Sequence, residues 1–417
     1  MRLESVLLEA VVLQGHHDAD NLASVIASIL EDWQCRSKVV AMVTDNAQTM
    51  VKAAEILKLK HVPCFAHSLN LVIKHVLLEP ECAALKELID KCKAIVTYFK
   101  HSSLASNQLK CLQKDLKKSQ LRPLQHVETR WNSAFQMLKR IGEIRDEVSL
   151  TLNKNPKAPN NLTDEEYTFL AEVIKVFEPI DVCTETVSGE TYTTLSLIIP
   201  LIKGMLMHFA QLDKEPLLES TKTVLETIKK YIVTKVKPYE TRTPCIVSTM
   251  LNPQLKKYGF KTSSEVERAV NIVQKEYSSY LSAQNKKASA PSDSAEPGSS
   301  NEAIAPPKKA KLNLLSYLQE SRSSSSSATA DAIVDINQYL SKPIIDKSEC
   351  PIEYWHFNRS SLKNIASKYM CIPGTSTPAE RIFSMAGQIA VERRNRLSGE
   401  HINEILFIKQ NHTLLDK

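Results

Sequence analysis

The chain has 417 residues, 43% hydrophobic and 24% charged, a composition that excludes wholesale disorder, and its 9 glycines exclude collagen-like and glycine-loop-dominated designs. At about 100–200 residues per domain, that length predicts roughly two to four structural units. The 53 Lys and Arg against 47 Asp and Glu leave a net charge of +6, a mild bias that permits nucleic-acid contact without requiring it. Nine cysteines at irregular spacing, with no secretory signal ahead of them, predict reduced thiols in a cytosolic or nuclear protein.

Residues 5–14 are short, rich in β-branched side chains and followed by a polar stretch, which predicts a buried strand ending in a loop. Glu9 interrupts this apolar run and no later one reads as long enough to span a bilayer, so a membrane protein is not expected. Leu22, Val25, Ile26, Ile29 and Leu30 recur with helical period over 21–33. Residues 39–43 read as a second strand that breaks at 44–47 into a helix over 50–59, so the start of the chain is an α/β layer. From 63 to 118 the period is helical, and 125–129 is a further candidate strand. Packed helices are predicted from 131 to 281, punctuated by Pro156, Pro159, Pro179, Pro200 and Pro253. Ser, Ala, Pro and Lys then dominate 283–330, a disordered linker by composition, before helical segments resume at 351–356, 362–369 and 381–412.

Several constellations carry chemistry. Asp45 lies just past a strand's carboxyl end, where it suits a metal ligand or the cap of the next helix. Cys64 and His67 have the spacing of half a zinc site, but Cys82 and Cys92 supply no second pair, so a buried thiol and a locally bonded histidine are expected and no metal. Arg130 and Trp131 put a cation beside a π-face, able to hold a phosphate and an unpaired base or to pack internally. Thr377-Pro-Ala-Glu380 reads as a capping box with Thr377 at the N-cap and Pro378 at the first helical position. Arg393, Arg394 and Arg396 could contact phosphate or pair with Glu392 and Glu400, and the basic run 306–311 reads as a nuclear-import signal.

Residues 375–387, 394–397 and 405–408 together resemble the C-terminal dimerisation signature of the hAT transposases and of the BED-type zinc-finger proteins derived from them. Residues 44–47, 64–67, 129–131 and 188–195 resemble further hAT segments in the family's order. The resemblance implies an α/β plus α fold: a ribonuclease-H-like sheet (1–135) interrupted by a helical insertion (136–282), then the linker (283–345) and a helical hAT dimerisation unit (346–417). It also implies three metal-binding carboxylates, of which Asp45 matches the second and Glu380 the third, while Arg130 and Trp131 match a motif that handles an extruded base. The first carboxylate and the BED finger would lie upstream of residue 1, which predicts a truncated sheet, vestigial Asp45 and Glu380, and no cofactor. Leu251-Asn-Pro-Gln254 departs from the family's usual Leu-Asp-Pro-Arg.

The expectation is therefore a nuclear, catalytically dead homodimer or higher homo-oligomer, joined through Phe383, Leu397, Ile402, Ile405, Leu406, Phe407 and Ile408. DNA is its candidate partner, through Arg130, Trp131, Arg393, Arg394 and Arg396. The alternatives are a fragment of an active transposase and a helical scaffold without DNA contact.

Overall fold

The computed structural model describes residues 2–126, 131–288, 328–390 and 397–415. Asp18 opens the first helix, α1 (Ala19–Asp32), by accepting from the Asn21 amide at 2.9 Å. Two parallel strands follow, β1 (Met42–Thr44) and β2 (His61–Pro63), with Met42 opposite His61 and Thr44 opposite Pro63. The helix between them, α2 (Gln48–Ile56), makes the crossover that parallel pairing requires, and its Ala53 packs with Leu57 and Ala23 in a small satellite core.

Ten helices build the main core: α3 (Phe65–Val76), α4 (Ala83–His101), α5 (Ser103–Asp115), α6 (Trp131–Glu143), α7 (Arg145–Asn153), α8 (Asp164–Val187), α9 (Ile198–Leu212), α10 (Glu219–Lys235), α11 (Thr243–Leu251) and α12 (Ser263–Ala288). A capping box starts α8: Thr163 Oγ1 accepts from the Glu166 amide, and Glu166 Oε2 accepts from the Thr163 amide. Pro179, expected to break the helix, lies within α8. Its missing N–H deprives the Lys175 carbonyl of its helical donor, and His208 Nε2 of α9 lies 3.2 Å from that oxygen as the replacement donor. Contrary to the expectation that no run reaches bilayer length, Leu195–Leu212 is long and apolar enough to cross a membrane. Its Leu195, Ile198, Ile202 and Phe209 are fully buried in the helical core.

The chain after 327 completes this same core. Helix α13 (Ala328–Ser341) packs along α12 and falls inside the stretch read as linker, leaving 289–327, which lies outside the described residues. After α14 (Pro351–Phe357) and α15 (Leu362–Met370), the fold closes with α16 (Thr377–Ile389) packed on α17 (Gly399–Leu415). Two anchors hold α13 and α14 to the loop after α11. Trp355 Nε1 donates to the Leu251 carbonyl at 2.8 Å, and buried Lys256 donates to the carbonyls of Tyr339, Lys342 and Pro343 at 2.8, 2.7 and 3.1 Å.

Residues 5–14 are not the expected buried strand, because β1 pairs with β2 alone and none of the ten is buried. They form a strap along α17 instead. Asn411 brackets the Leu7 peptide, accepting its N–H at 3.0 Å and donating to its carbonyl at 2.8 Å, and Asn403 accepts from the Ala10 amide at 2.7 Å. The eight helical steps from Asn403 to Asn411 rise about 12 Å. The three steps from Leu7 to Ala10 reach about 10 Å when extended, so the strap runs extended between its two anchors. The other candidate strand, 125–129, is irregular at 125–126, and its remainder lies outside the described residues.

Candidate functional site

Residues 372–381 thread between the start of α3 and the α8–α9 connection, and the bonds they make there shape a cleft. Cys64 is the N-cap of α3, and its fully buried Sγ accepts from the His67 amide at 3.4 Å and from the Ser376 amide at 3.3 Å. One thiol thus serves the starts of α3 and α16. Phe65 donates its amide to the Gly374 carbonyl at 3.0 Å, while the Gly374 amide donates to Thr194 Oγ1 at 2.8 Å. A Cβ on Gly374 would meet the Thr194 backbone at 3.4 Å, an ordinary van der Waals contact. Thr375 Oγ1 donates to the Val187 carbonyl at 3.4 Å, and Arg381 pairs with Glu190 at 2.5 Å.

The resulting cleft has a volume of 470 Å³ and is lined by His67, Asn70, Trp131, Asn132, Glu185 and Glu380, among others. Trp131, 7% exposed, sets its ring edge-on to Phe177 at 6.3 Å, and its buried Nε1 has no acceptor among the described residues. Behind Asn132 lies Asp181, which burial pushes above the usual carboxylate range. Its two oxygens accept from Asn132 Nδ2 at 2.6 Å and Gln136 Nε2 at 3.0 Å. Sequence reasoning missed Asp181 and Glu185; their signal was the acidic i, i+4 pair near the end of α8.

The capping box expected at α16 does not form. Ser376 is the N-cap, one residue early, because Thr377 Oγ1 faces Ser188 Oγ at 3.4 Å; exposed Glu380 accepts from Ser376 Oγ at 3.2 Å. Asp45 is absent from the cleft lining, its Oδ1 accepting from the Ala47 amide at 3.2 Å in the turn before α2. Among the described residues no three His, Cys, Asp or Glu side chains converge to hold a metal, so this donor set does not fit a two-cation site. Arg130, Arg393, Arg394 and Arg396 lie outside the described residues.

Three family models match in chain order: the ZBED1 RNase-like domain over 1–65, the ZBED1 RNase-like helical domain over 62–176, and the hAT family C-terminal dimerisation region over 335–412. The chain belongs to the hAT-derived family. Among its relatives, zinc finger BED domain-containing protein 4 of Homo sapiens is 21% identical over 422 residues, 99% of this chain and 34% of that protein. Zinc finger BED domain-containing protein 6 of Homo sapiens is 23% identical over 89% of this chain and 40% of its own length. A putative AC transposase of Zea mays is 24% identical over 95% of this chain and 51% of its own. The chain therefore spans about a third to a half of the length of these relatives.

The hAT dimerisation region begins within α13, so part of it is core. Leu406 is fully buried, and the Phe407 ring centre lies 5.9 Å from that of Trp33, the C-cap of α1. Leu397 and Ile402 are half-buried, whereas Phe383, Ile405 and Ile408 are 67%, 40% and 60% exposed.

Proposed function

We infer that this hAT-derived chain is a nuclear protein that pairs with a second copy through α16 and α17 and contacts DNA at the cleft without cleaving it. The observation that carries the reading is the exposure of Phe383, Ile405 and Ile408 on the region matching the dimerisation model, with Ile405 and Ile408 one turn apart on a single face. Burying the exposed parts of these side chains favours pairing, each by at most about 1.5–3 kcal/mol, against the entropy lost when two chains associate. Asp45 is tied to the Ala47 amide in the turn before α2 while Glu380 lines the cleft, and this separation of the two carboxylates supports a non-cleaving role. The basic run 306–311 supports nuclear entry.

Sedimentation of the full chain tests the pairing. The wild type should run as an oligomer and Phe383→Asp/Ile408→Asp as a folded monomer; an oligomer that survives both charges refutes it. Incubation with labelled DNA and Mg²⁺ or Mn²⁺ should give no nicking, and nicking abolished by Asp45→Asn would overturn the non-cleaving role.

A further inference from the structure

A second cavity, separate from the cleft, opens where the end of α4 meets α5 and the loop 121–125. Its volume is 360 Å³, within the size range of small-ligand sites. Phe99, Leu109 and Leu121 form an apolar floor, Lys100, Lys110 and Arg122 supply three cations, and no carboxylate is among the lining residues. Three like charges at one pocket repel one another, and a bound anion relieves that repulsion.

The loop that carries Arg122 is held in place. Gln113 Nε2 donates to the Leu121 carbonyl at 3.1 Å, Arg140 Nη1 donates to the Arg122 carbonyl at 2.9 Å, and Lys100 Nζ donates to Gln125 Oε1 at 2.5 Å. Neither Lys110 nor Arg122 has a carboxylate partner for its side chain among the described residues. The cations are thus presented on a backbone fixed before any ligand arrives, which lowers the cost of ordering on binding.

We propose that this pocket holds a phosphodiester of single-stranded nucleic acid, with the phosphate against Lys110 and Arg122 and the sugar or base on the apolar floor. The claim rests on the nucleic-acid reading above and adds a location to it. A simple inorganic anion would leave the floor unused, whereas a nucleotide unit pairs an anion with an apolar face. The position in the chain agrees. Six residues after Gln125 the polypeptide reaches Trp131, which lines the cleft, so one short connection bears residues of both cavities.

The test is fluorescence anisotropy with the full chain and a labelled single-stranded oligonucleotide of about 12 nucleotides, titrated with salt. Lys110→Gln/Arg122→Gln should weaken binding about tenfold at low salt and reduce the log–log salt slope by about 0.7, the change expected for one lost phosphate contact. Lys110→Arg/Arg122→Lys should keep the wild-type slope, and matched melting curves separate lost binding from lost folding. Binding by the wild type with an unchanged slope in the Gln variant overturns the pocket alone. No oligonucleotide binding by the wild type overturns the nucleic-acid reading and the pocket together. Equal affinity for polyglutamate, with equal loss in the Gln variant, would assign the pocket to acidic peptides and overturn the proposal.

Discussion

Lys256 takes a left-handed φ of +47° and carries its ammonium inward, 4.5 Å from the Tyr339 ring centre and onto three carbonyls. Burial, then the charges of Lys342 and Lys257, pull its pKa down to about 8. In the unfolded chain the amine titrates near 10.5, so between about 8 and 10.5 the unfolded state binds more protons than the folded one and stability rises with pH. Denaturant titrations of wild type and Lys256→Met should show a stability gap of about 2–4 kcal/mol at pH 7, from the orphaned carbonyls. The gap should widen by on the order of 2–3 kcal/mol by pH 10; a gap independent of pH would mean that the amine is not buried in solution. This anchor was not legible in the sequence, because its acceptors lie more than 80 residues away. Cys64 and His67 illustrate the same limit. Their spacing was visible, but the bond from the Ser376 amide, 312 residues on, is what makes the thiol a shared cap.

Elements with a strong period were read well, and those that depend on neighbours were not. The apolar stripe over 21–33 became α1 within two residues at its start, since an amphipathic helix satisfies its own backbone. Strand β2 escaped notice because three residues ending in proline carry too little pattern, and only β1 beside it makes it a strand. Residues 5–14 were misread for the converse reason: a strand-like pattern without an adjacent edge must find other partners, here Asn403 and Asn411. Asn411→Ala removes both bonds to the Leu7 peptide and should cost about 1–2 kcal/mol. Hydrogen exchange should show faster exchange at Leu7 and unchanged protection in α8 and α9. Uniform loss of protection across the core would show instead that the strap is part of the global cooperative unit.

For the molecule as a whole, the sequence suggested separate units joined by a linker. It could not reveal that α13 to α15 pack back into the helical core, because that depends on the buried faces of Tyr339, Trp355 and Tyr369 meeting α11 and α12. A chain with a protease site placed in 289–327 should therefore remain one particle after cleavage, co-eluting on size exclusion and melting in one transition. Separation of the pieces would contradict the shared core. The strap latch has a consequence of timing. Leu7 waits for Asn411, 404 positions later, and at about 5–20 residues per second synthesis takes roughly 20–80 s to supply that partner. Throughout that interval the strap is unlatched, and the amides of Leu7 and Ala10 stay open until α17 has been made.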